Sequence, residues 1–571
     1  MLVYGDLERG EDASAIVGDI VGQIASCQAL VGLHRHQSLV ALFIRAGELV
    51  QGTLDKRFHH IGQDEIGALQ KAGAGLLLSL AEAVGRSWTS GYATEPLPTG
   101  LAPHLDVLGA AGTIQTRQAE GYSFYALYPE SYVTAAQSSG LGPDTLVIGI
   151  RSIGAGLGAL VASALGTSDL HTVRPTGHPF NRQLSLSPAL AQRLSAHEGP
   201  FAIVDEGPGL SGSSFNCVAD WLVGQGIDES RIHFFPSHGG DLGSAARPEH
   251  RHRWQTARKH TVAFEQLVLE PKRQEHRLST WIAGVVGPLN GDLLDLSGGN
   301  WRTALHNPPA DPMLERRKYR ASTTEGTWLA KFAGIGAAGT HRLALAQKLA
   351  KGGFSPPPAG LVHGFLLLPW MDDLSAPGET VPLSRLADYL SFRAGLPAPQ
   401  SGAGLDQLFA MARYNLGQHL GAAAQPRLDD ALSNPDQFTP RPCCTDNRLH
   451  QWEWVKSAGG WLKLDSLDHH AAHDLVGPQD IAWDIAGAVV EFELDPQGQG
   501  QLVEAVEARL GYAINARFLQ AMFLCYLGFQ IGLWTMARDR ASAPDREKIE
   551  ALLAHYSSHR ALDSFRLDLL S

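Results

Sequence analysis

The residues best suited to chemistry lie in one stretch, Ile203-Val-Asp-Glu-Gly-Pro-Gly-Leu-Ser-Gly-Ser-Ser214. An apolar strand ends there in two acids, and a loop of glycines and hydroxyls leads into a helix. Such a turn presents bare N–H groups at the start of the helix, where they can hold a phosphate group. Asp205 and Glu206 would repel a bare phosphate, which favours a role on ribose hydroxyls or on a positive charge forming on a sugar ring. The residues predicted to bind the phosphate are Gly209, Ser211, Gly212, Ser213 and Ser214.

Two further elements precede this loop. Gly149-Ile-Arg-Ser-Ile-Gly-Ala-Gly156 ends the preceding strand, and Arg174-Pro-Thr-Gly-His-Pro-Phe-Asn-Arg182 lies between the two loops. The three elements, in this order, resemble those of the type I phosphoribosyltransferases. Gly212 departs from the family pattern, because it lies one residue further from the acid pair.

The resemblance implies that phosphoribosyl pyrophosphate binds here with Mg²⁺, and that Asp205 and Glu206 are the catalytic acids. It also implies that Arg151 and Ser152 meet the pyrophosphate. A mobile loop would then close over the site and carry basic residues toward it, with Arg174, His178 and Arg182 as the candidates. Catalysis in that chemistry is mostly positioning and electrostatics. Neither the acceptor base nor the direction of the reaction can be derived from these residues, so cleavage of a nucleotide-like substrate remains an alternative.

A second chemical pattern lies in the C-terminal half. Thr445-Asp-Asn-Arg-Leu-His-Gln-Trp-Glu-Trp454 places an acid in a polar loop, and Leu462-Lys-Leu-Asp465 ends an apolar strand in another acid. Their separation suits a hairpin that brings both acids to one cleft. The loop acid can orient a hydroxyl and accept its proton, while the strand-end acid can hold Mg²⁺ on the phosphates of ATP.

This pattern resembles the aminoglycoside phosphotransferase and choline kinase superfamily. The resemblance implies that Asp446 is the catalytic acid and that Asp465 binds the metal. Asp480 and Asp484, in Asp480-Ile-Ala-Trp-Asp-Ile-Ala486, match a downstream acid region whose role is usually structural.

Two positions depart from that family pattern. Cys444 stands where the family has His, and Gln451 stands where it has Asn. Gln451 can still offer a carbonyl oxygen to the metal, so we include it as a metal-binding candidate. The departures motivate an alternative of another class, in which one or both domains only bind nucleotides and regulate a partner.

The phosphates of ATP also call for a cation. Trp328-Leu-Ala-Lys-Phe332 is predicted to be a strand that carries Lys331, and a helix follows at about 342–350. That helix offers no acid to pair with the lysine. Lys318 is the rival candidate for the same role. Phe365 to Trp370 resembles the hinge segment that lines an adenine pocket.

Other patterns are weaker. Gly334-Ile-Gly-Ala-Ala-Gly339 matches the dinucleotide fingerprint formally, but no acid follows about 20 residues later to bind a ribose. A group of cysteines and histidines shows spacings that match no common zinc pattern. Its members are Cys443, Cys444, His450, His469, His470 and His473.

Composition narrows the class of protein further. Lys+Arg 46 against Asp+Glu 58 gives a net charge of −12 without a long basic run, which disfavours a nucleic-acid partner. The 5 cysteines are too few for a disulfide framework in 571 residues and fit a reducing, cytoplasmic compartment. The most apolar stretch, 518–536, is interrupted by Gln520 and Gln530, and we expect it to be a buried helix rather than a membrane span.

These observations predict a multidomain fold. Residues 1–110 form a helical N-terminal segment, 111–288 a phosphoribosyltransferase-like α/β domain with a parallel sheet, and 289–571 an α+β kinase-like domain. The expected function is bifunctional transfer on small-molecule substrates: a phosphoribosyl group at one site, and phosphoryl from ATP to a hydroxyl at the other. The oligomeric state is left open, with a homo-oligomer among the alternatives.

Overall fold

The N-terminal helices form a layer around a buried apolar core. The computed structural model describes residues 8–566, apart from positions 95, 210, 244, 306, 312–313, 372–378, 458 and 470–475, so His470 and His473 lie outside the described residues. Ile16 and Ile20, one helical turn apart, are fully buried, as their spacing predicts. The elements are β1 (Glu8–Asp12), α1 (Ala13–Gln28), α2 (Gly32–Ile61), α3 (Ala68–Thr89), α4 (Ala102–Gly109) and β2 (Thr113–Arg117), with β1 and β2 antiparallel.

The middle of the chain alternates strands and helices. The strands predicted at 145–150, 201–204 and 231–235 form as β3 (Leu146–Ile150), β7 (Phe201–Val204) and β8 (Ile232–Phe235), and every residue of the three is buried. The elements are α5 (Glu120–Ser123), α6 (Pro129–Ser138), β3 (Leu146–Ile150), α7 (Gly154–Leu165), β4 (Leu170–Val173), β5 (Thr176–His178), β6 (Asn181–Gln183), α8 (Pro188–Ser195), β7 (Phe201–Val204), α9 (Ser213–Gly224), β8 (Ile232–Phe235), α10 (Pro248–Thr256), β9 (Arg258–Lys259) and α11 (Leu278–Val286).

These strands form a parallel sheet in the order β4-β3-β7-β8-β9. Counted along the chain, this is the doubly wound order 2-1-3-4-5. In such sheets ligands bind beyond the carboxyl ends of the strands, at the point where the connections diverge. Here that point lies between β3 and β7. Strands β5 and β6 form a separate antiparallel hairpin.

A second sheet follows, and it is antiparallel. Its order is β10-β11-β12-β14-β13, and α12 connects β12 to β13. The predicted strand at 328–332 is the third strand of this sheet in chain order. The elements are β10 (Leu294–Asp295), β11 (Lys318–Ser322), β12 (Thr327–Phe332), α12 (Ala337–Lys351), β13 (Gly360–Val362) and β14 (Phe365–Pro369).

The C-terminal part is mainly helical and contains one hairpin. The predicted apolar helix is α18, which has the length and composition of a membrane span, but 89% of its most apolar window is buried inside the protein. The elements are α13 (Leu383–Ala394), α14 (Leu405–Leu420), α15 (Gln425–Ala431), β15 (Trp454–Ser457), β16 (Gly460–Lys463), α16 (Ile481–Glu491), α17 (Pro496–Leu510), α18 (Ala516–Arg540), α19 (Ala543–Ser558) and α20 (Asp563–Arg566).

The two sheets are joined through a shared core. Tyr128, directly before α6, is buried and donates a hydrogen bond to the backbone oxygen of His363, in the turn between β13 and β14, at 2.7 Å. Arg342 of α12 donates to the backbone oxygen of Ser123 at 2.8 Å. The chain is therefore a multidomain α/β protein in which the antiparallel sheet packs directly against the N-terminal half.

Candidate active-site cleft

A cleft opens between the antiparallel sheet and the helices that follow it. Leu329 of β12 and Leu368 of β14 line one wall, and Leu464, just after β16, lines the other. The segment 369–371 at the end of β14 lines the cleft as well, so the predicted hinge lies beside it. An apolar slot with a few charged groups at one end is typical of a small-ligand site.

Lys331 supplies the cation at the charged end of the cleft. It lies on β12, is buried, and donates from Nζ to Asp465 Oδ1 at 2.6 Å and to Asp468 Oδ1 at 3.2 Å. Burial disfavours the ammonium form, but the two carboxylates outweigh it and raise the pKa of Lys331. In protein kinases a lysine on the third strand contacts the ATP phosphates and is paired with an acid on the following helix. Here its anchoring partner is Asp468, from the loop after β16, and not an acid on α12.

Lys318, the rival candidate, lies opposite Lys331 on the neighbouring strand. Its Nζ is 3.4 Å from Glu315 Oε2 and 4.7 Å from the centre of the Trp301 ring. Both lysines line the cleft. Of the two, Lys331 is the one hydrogen-bonded to Asp465.

The hairpin of β15 and β16 brings Glu453 and Asp465 together at the base of the cleft, whereas the sequence predicts that it brings Asp446 and Asp465 there. Trp454 pairs with Lys463 across the hairpin, and the Leu464 N–H donates to the Glu453 backbone oxygen at 2.8 Å. Lys463 Nζ donates to Glu453 Oε2 at 2.5 Å. The side chains of Glu453 and Asp465 consequently meet at one end of the hairpin.

The loop that carries Asp446 is fixed by a buried arginine. Arg393 of α13 donates to the backbone oxygens of Cys444 at 2.6 Å and Thr445 at 2.5 Å. It also donates to the backbone oxygen of Ser466 at 2.8 Å. One guanidinium therefore ties the Asp446 loop to the segment that follows β16.

The downstream acids hold this loop from the other side. Asp484 accepts the N–H groups of Asp446 at 2.7 Å and Asn447 at 2.9 Å. Burial, with the neighbouring Asp446 carboxylate, raises the pKa of Asp484 to about 6. Asp480 caps α16 by accepting the Ala482 N–H at 2.9 Å. Both acids therefore support the backbone, which agrees with the structural role predicted for them.

Asp446 itself is fully buried. Its Oδ2 accepts a hydrogen bond from the Tyr389 hydroxyl, and its Oδ1 lies 3.0 Å from His469 Nδ1. Lys463 Nζ is 3.7 Å from Oδ2. Burial opposes ionisation, but the charge of Lys463 and the bond to His469 outweigh it and lower the pKa of Asp446. The group is therefore held as a carboxylate.

His469 lies between the two predicted acids and lines the cleft. Its Nε2 is 3.7 Å from Asp465 Oδ1. Burial and Arg448 disfavour the charged ring, yet Asp465 and Asp446 outweigh them and raise the pKa of His469 to about 9. In this conformation the His469 ring lies between the Asp446 carboxylate and the cleft.

The acids that could hold a metal are Glu453 and Asp465. Together with His469 they offer ligand atoms that all lie within 4.8 Å of one another. Gln451, the predicted ligand, instead donates its amide to the backbone oxygen of Glu491 at 2.6 Å. Sequence reasoning missed Glu453; an acid directly before the first strand of the hairpin is the signal that could have identified it.

A second candidate site lies where β3 and β7 end. Asp205 follows β7, its Oδ1 accepts the Glu206 N–H at 2.8 Å, and its backbone oxygen accepts from the Tyr132 hydroxyl at 2.8 Å. Burial raises the pKa of Asp205 to about 7. A Cβ on Gly154 would lie 2.6 Å from the Val204 backbone oxygen, so only glycine allows the loop after β3 to approach this point. The predicted acid pair and the predicted pyrophosphate loop are thus neighbours.

The hairpin of β5 and β6 covers the loop of glycines and serines. Ser211 Oγ donates to the backbone oxygen of Pro179, at the tip of the hairpin, at 3.2 Å, and Ser213 Oγ donates to the same oxygen. Gly209 and Gly212 adopt φ of 58° and 64°, a region that favours glycine. The predicted phosphate loop is thus in contact with the segment predicted to close over it.

The remaining candidates of this site lie around it. Ser152 is half-buried in the loop after β3, and Ser214 is half-buried in the first turn of α9. Arg182, on β6, donates to the backbone oxygen of Pro175 at 3.3 Å.

The two other arginines of this site are engaged by acids from the N-terminal helical layer. Arg151 donates from Nε to Asp55 Oδ1 at 2.7 Å and from Nη2 to Asp64. Arg174 donates from Nε to Asp55 Oδ1 at 2.8 Å. Contact with a pyrophosphate, as predicted, would require these guanidinium groups to leave or share Asp55 and Asp64.

Solved structures similar to this chain include kinases and phosphotransferases of small molecules. No protein-family model and no curated protein matches this chain. Among solved structures, choline kinase LicA from Streptococcus pneumoniae is similar with 12% identity, 42% of this chain and 90% of that chain covered, and a TM-score of 0.31. A choline/ethanolamine kinase family protein from Mesorhizobium loti is similar with 13% identity, 51% of this chain and 98% of that chain covered, and a TM-score of 0.33. A macrolide 2′-phosphotransferase type I is similar with 14% identity, 48% of this chain and 94% of that chain covered, and a TM-score of 0.32. These TM-scores are near 0.3, so the function of the chain has to be argued from its own residues.

Proposed function

We propose that the cleft binds ATP with Mg²⁺ and transfers a phosphoryl group to the hydroxyl of a small molecule. The observation that carries this proposal is the 2.6 Å pair between Lys331 and Asp465, at the charged end of an otherwise apolar slot. Lys331 would take the nucleotide phosphates, with Asp468 as its anchor. The predicted hinge at 365–370, whose end lines the cleft, would border the base.

The acids present suit Mg²⁺. This ion prefers oxygen ligands, and one or two carboxylates together with substrate phosphates usually hold it. Asp465 and Glu453 would supply those carboxylates. His469, protonated at neutral pH, would stay outside the coordination sphere and balance their charge. The bound ion would neutralise charge on the transferring phosphoryl group.

The chain's own contribution is positioning. Asp446 is held ionised, and Arg393 and Asp484 fix its loop from both sides. We place the substrate hydroxyl at Asp446 Oδ1, in exchange for His469 Nδ1, so that Asp446 receives the hydroxyl proton. Little covalent chemistry is required of the protein in phosphoryl transfer, so orientation and charge account for most of the rate.

The test separates metal binding from proton acceptance. Asp465→Asn should lose Mg²⁺-dependent ATP binding in calorimetry. Asp446→Asn should keep ATP binding but lower turnover by about 10²–10⁴-fold, the usual contribution of a positioned acid or base. Turnover is measured as mass transfer from ATP to a panel of small-molecule alcohols and sugars.

Asp430→Asn is the matched control, because this aspartate is exposed on α15 and should leave both measurements unchanged. A parent protein that binds no ATP at millimolar Mg²⁺ would refute the proposal. ATP binding without transfer to any hydroxyl would favour the regulatory alternative, with Cys444 and Gln451 as the first positions to examine.

A second candidate function concerns the parallel sheet. We propose that the crevice at β3 and β7 binds a 5′-phosphoribosyl compound, with phosphoribosyl pyrophosphate as the first ligand to test. The supporting observation is the close approach at Gly154, which brings the segment after β3 next to Asp205 at the carboxyl ends of β3 and β7. Asp205 and Glu206 would bind the ribose hydroxyls, and the loop at 209–214 would bind the phosphate.

The matching experiment measures phosphoribosyl pyrophosphate binding with Mg²⁺. Asp205→Asn with Glu206→Gln should abolish the binding signal while the melting temperature is retained. Glu198→Gln, an exposed position on the same half, is the control. Unchanged affinity in the double variant would refute the sugar site. The parallel sheet would then serve only to pack against the rest of the chain.

A further inference from the structure

A buried group of ionisable side chains lies outside both candidate sites. His36 of α2, Glu130 of α6 and His363, in the turn between β13 and β14, are all 2% exposed or less. The Nε2 atoms of His36 and His363 lie 2.7 Å and 2.8 Å from the same oxygen, Glu130 Oε1. We propose that these three residues bind one divalent transition-metal ion of the zinc class.

The ligand set suits such an ion. Two imidazole nitrogens and one carboxylate oxygen are a common donor set for zinc, at metal–ligand distances of about 2 Å. The three ligand atoms lie within 4.8 Å of one another. Small movements of the side chains would therefore admit an ion between them. Imidazole favours a transition metal here over Mg²⁺, which prefers oxygen.

The charge of the cluster points the same way. Among the described residues, the hydrogen bonds and ion pairs of the Glu130 carboxylate go only to these two histidines. A buried carboxylate in this position calls for a cation.

Two polar atoms of the cluster lack a partner. Within the described part of the chain, Glu130 Oε2 and His363 Nδ1 are buried without a hydrogen bond, which costs free energy. His36 is oriented differently, because its Nδ1 lies 3.0 Å from Ser87 Oγ and its Nε2 is thereby directed at Glu130. A hydrogen bond to the far nitrogen of a histidine is the usual support of a metal ligand.

The cluster of His36, Glu130 and His363 is packed against aromatic rings on one side and borders a groove on the other. The His36 ring lies 4.9 Å from that of Tyr92, and the His363 ring lies 5.0 Å from those of Tyr128 and Trp281. This aromatic shell excludes water from the cluster. His363 also lines a groove between α2 and α12, which gives an ion a route from solvent.

The three ligands come from different parts of the chain. Two lie on helices of the N-terminal half, and the third lies on a turn of the antiparallel sheet that lines the ATP cleft. A bound ion would therefore fix that sheet to the N-terminal half, and its role would be structural. This role is independent of the proposed kinase activity.

The experiment titrates the full-length protein with Zn²⁺, and with Co²⁺ as a spectroscopic probe, after EDTA treatment and return to Mg²⁺. The titrations use the Asp465→Asn variant as the parent, because this change weakens metal binding at the other group of possible ligands, Glu453, Asp465 and His469. We expect about one tight equivalent and the intense visible bands of Co²⁺ in a low-coordination site. Glu130→Gln and His363→Asn should each weaken that equivalent by at least about 10-fold. Asn suits the φ of 39° at position 363, since Asn tolerates that backbone region.

His34→Asn is the control, because His34 lines the same groove without joining the cluster. A second readout avoids variants: Zn²⁺, and not Mg²⁺, should raise the melting temperature of the stripped parent protein. If Zn²⁺ leaves the melting temperature unchanged, or if Glu130→Gln retains the same tight equivalent, the cluster is an internal ion pair and the metal site is refuted.

Discussion

Glu453 and Gln451 are two positions apart in the chain and have different partners. Glu453 shares the charged end of the cleft with Asp465, whereas the Gln451 amide is bound to the backbone of Glu491. We therefore expect Glu453→Gln to raise the Mg²⁺ concentration required for ATP binding by about 10-fold or more, because one of two carboxylates loses its charge. Gln451→Ala should leave that requirement unchanged. Calorimetric ATP titrations at several Mg²⁺ concentrations measure both variants.

The control for Glu453→Gln is its melting temperature, which reports whether the variant still folds. The glutamine keeps an oxygen that can accept from Lys463, so the melting temperature should change little. If Gln451→Ala raises the Mg²⁺ requirement and Glu453→Gln does not, the metal site is the one that the sequence predicts, and the side chains rearrange on binding.

At the scale of the elements, the local pattern of apolar and polar residues predicts which of these segments are strands. The apolar runs of β3, β7 and β8 and the hairpin at Asp465 are determined by neighbours in the chain, and they form as predicted. Their polar partners come from far away. Lys331 is 137 positions from Asp468, and Arg151 is 96 positions from Asp55. Spacing along the chain carries no information about such contacts, which depend on how whole elements pack.

The helix α12 shows the same limit. Its sequence lacks an acid to pair with Lys331, and the structure accounts for this. Arg342 of α12 is buried and donates to the backbone oxygens of Ser123 and Ala333. The helix therefore attaches the antiparallel sheet to the N-terminal half, and the anchor of Lys331 is supplied by the loop after β16.

At the scale of the whole molecule, both faces of the antiparallel sheet are buried, in different cores. Side chains alternate between the two faces of a strand. Phe365 and Leu367 of β14 pack in one core with the N-terminal helices, whereas Leu366 and Leu368 pack in the core of the C-terminal helices. A boundary at 288/289, as predicted from composition, separates the sheet from one of its two covers.

The C-terminal fragment 289–571 is therefore expected to fail to fold alone. Without the first half, it would expose Tyr319, Phe332 and Phe365, each at most 1% exposed in the intact chain, at a cost of about 1.5–3 kcal/mol per side chain. We expect aggregation in size-exclusion chromatography and strong binding of a hydrophobic dye, relieved by co-expression with residues 1–288. The control is the full chain with a protease site at 288/289, cut after folding, whose halves should stay together. A monomeric 289–571 with a sharp melt and normal ATP binding would show instead that the C-terminal half is an independent domain.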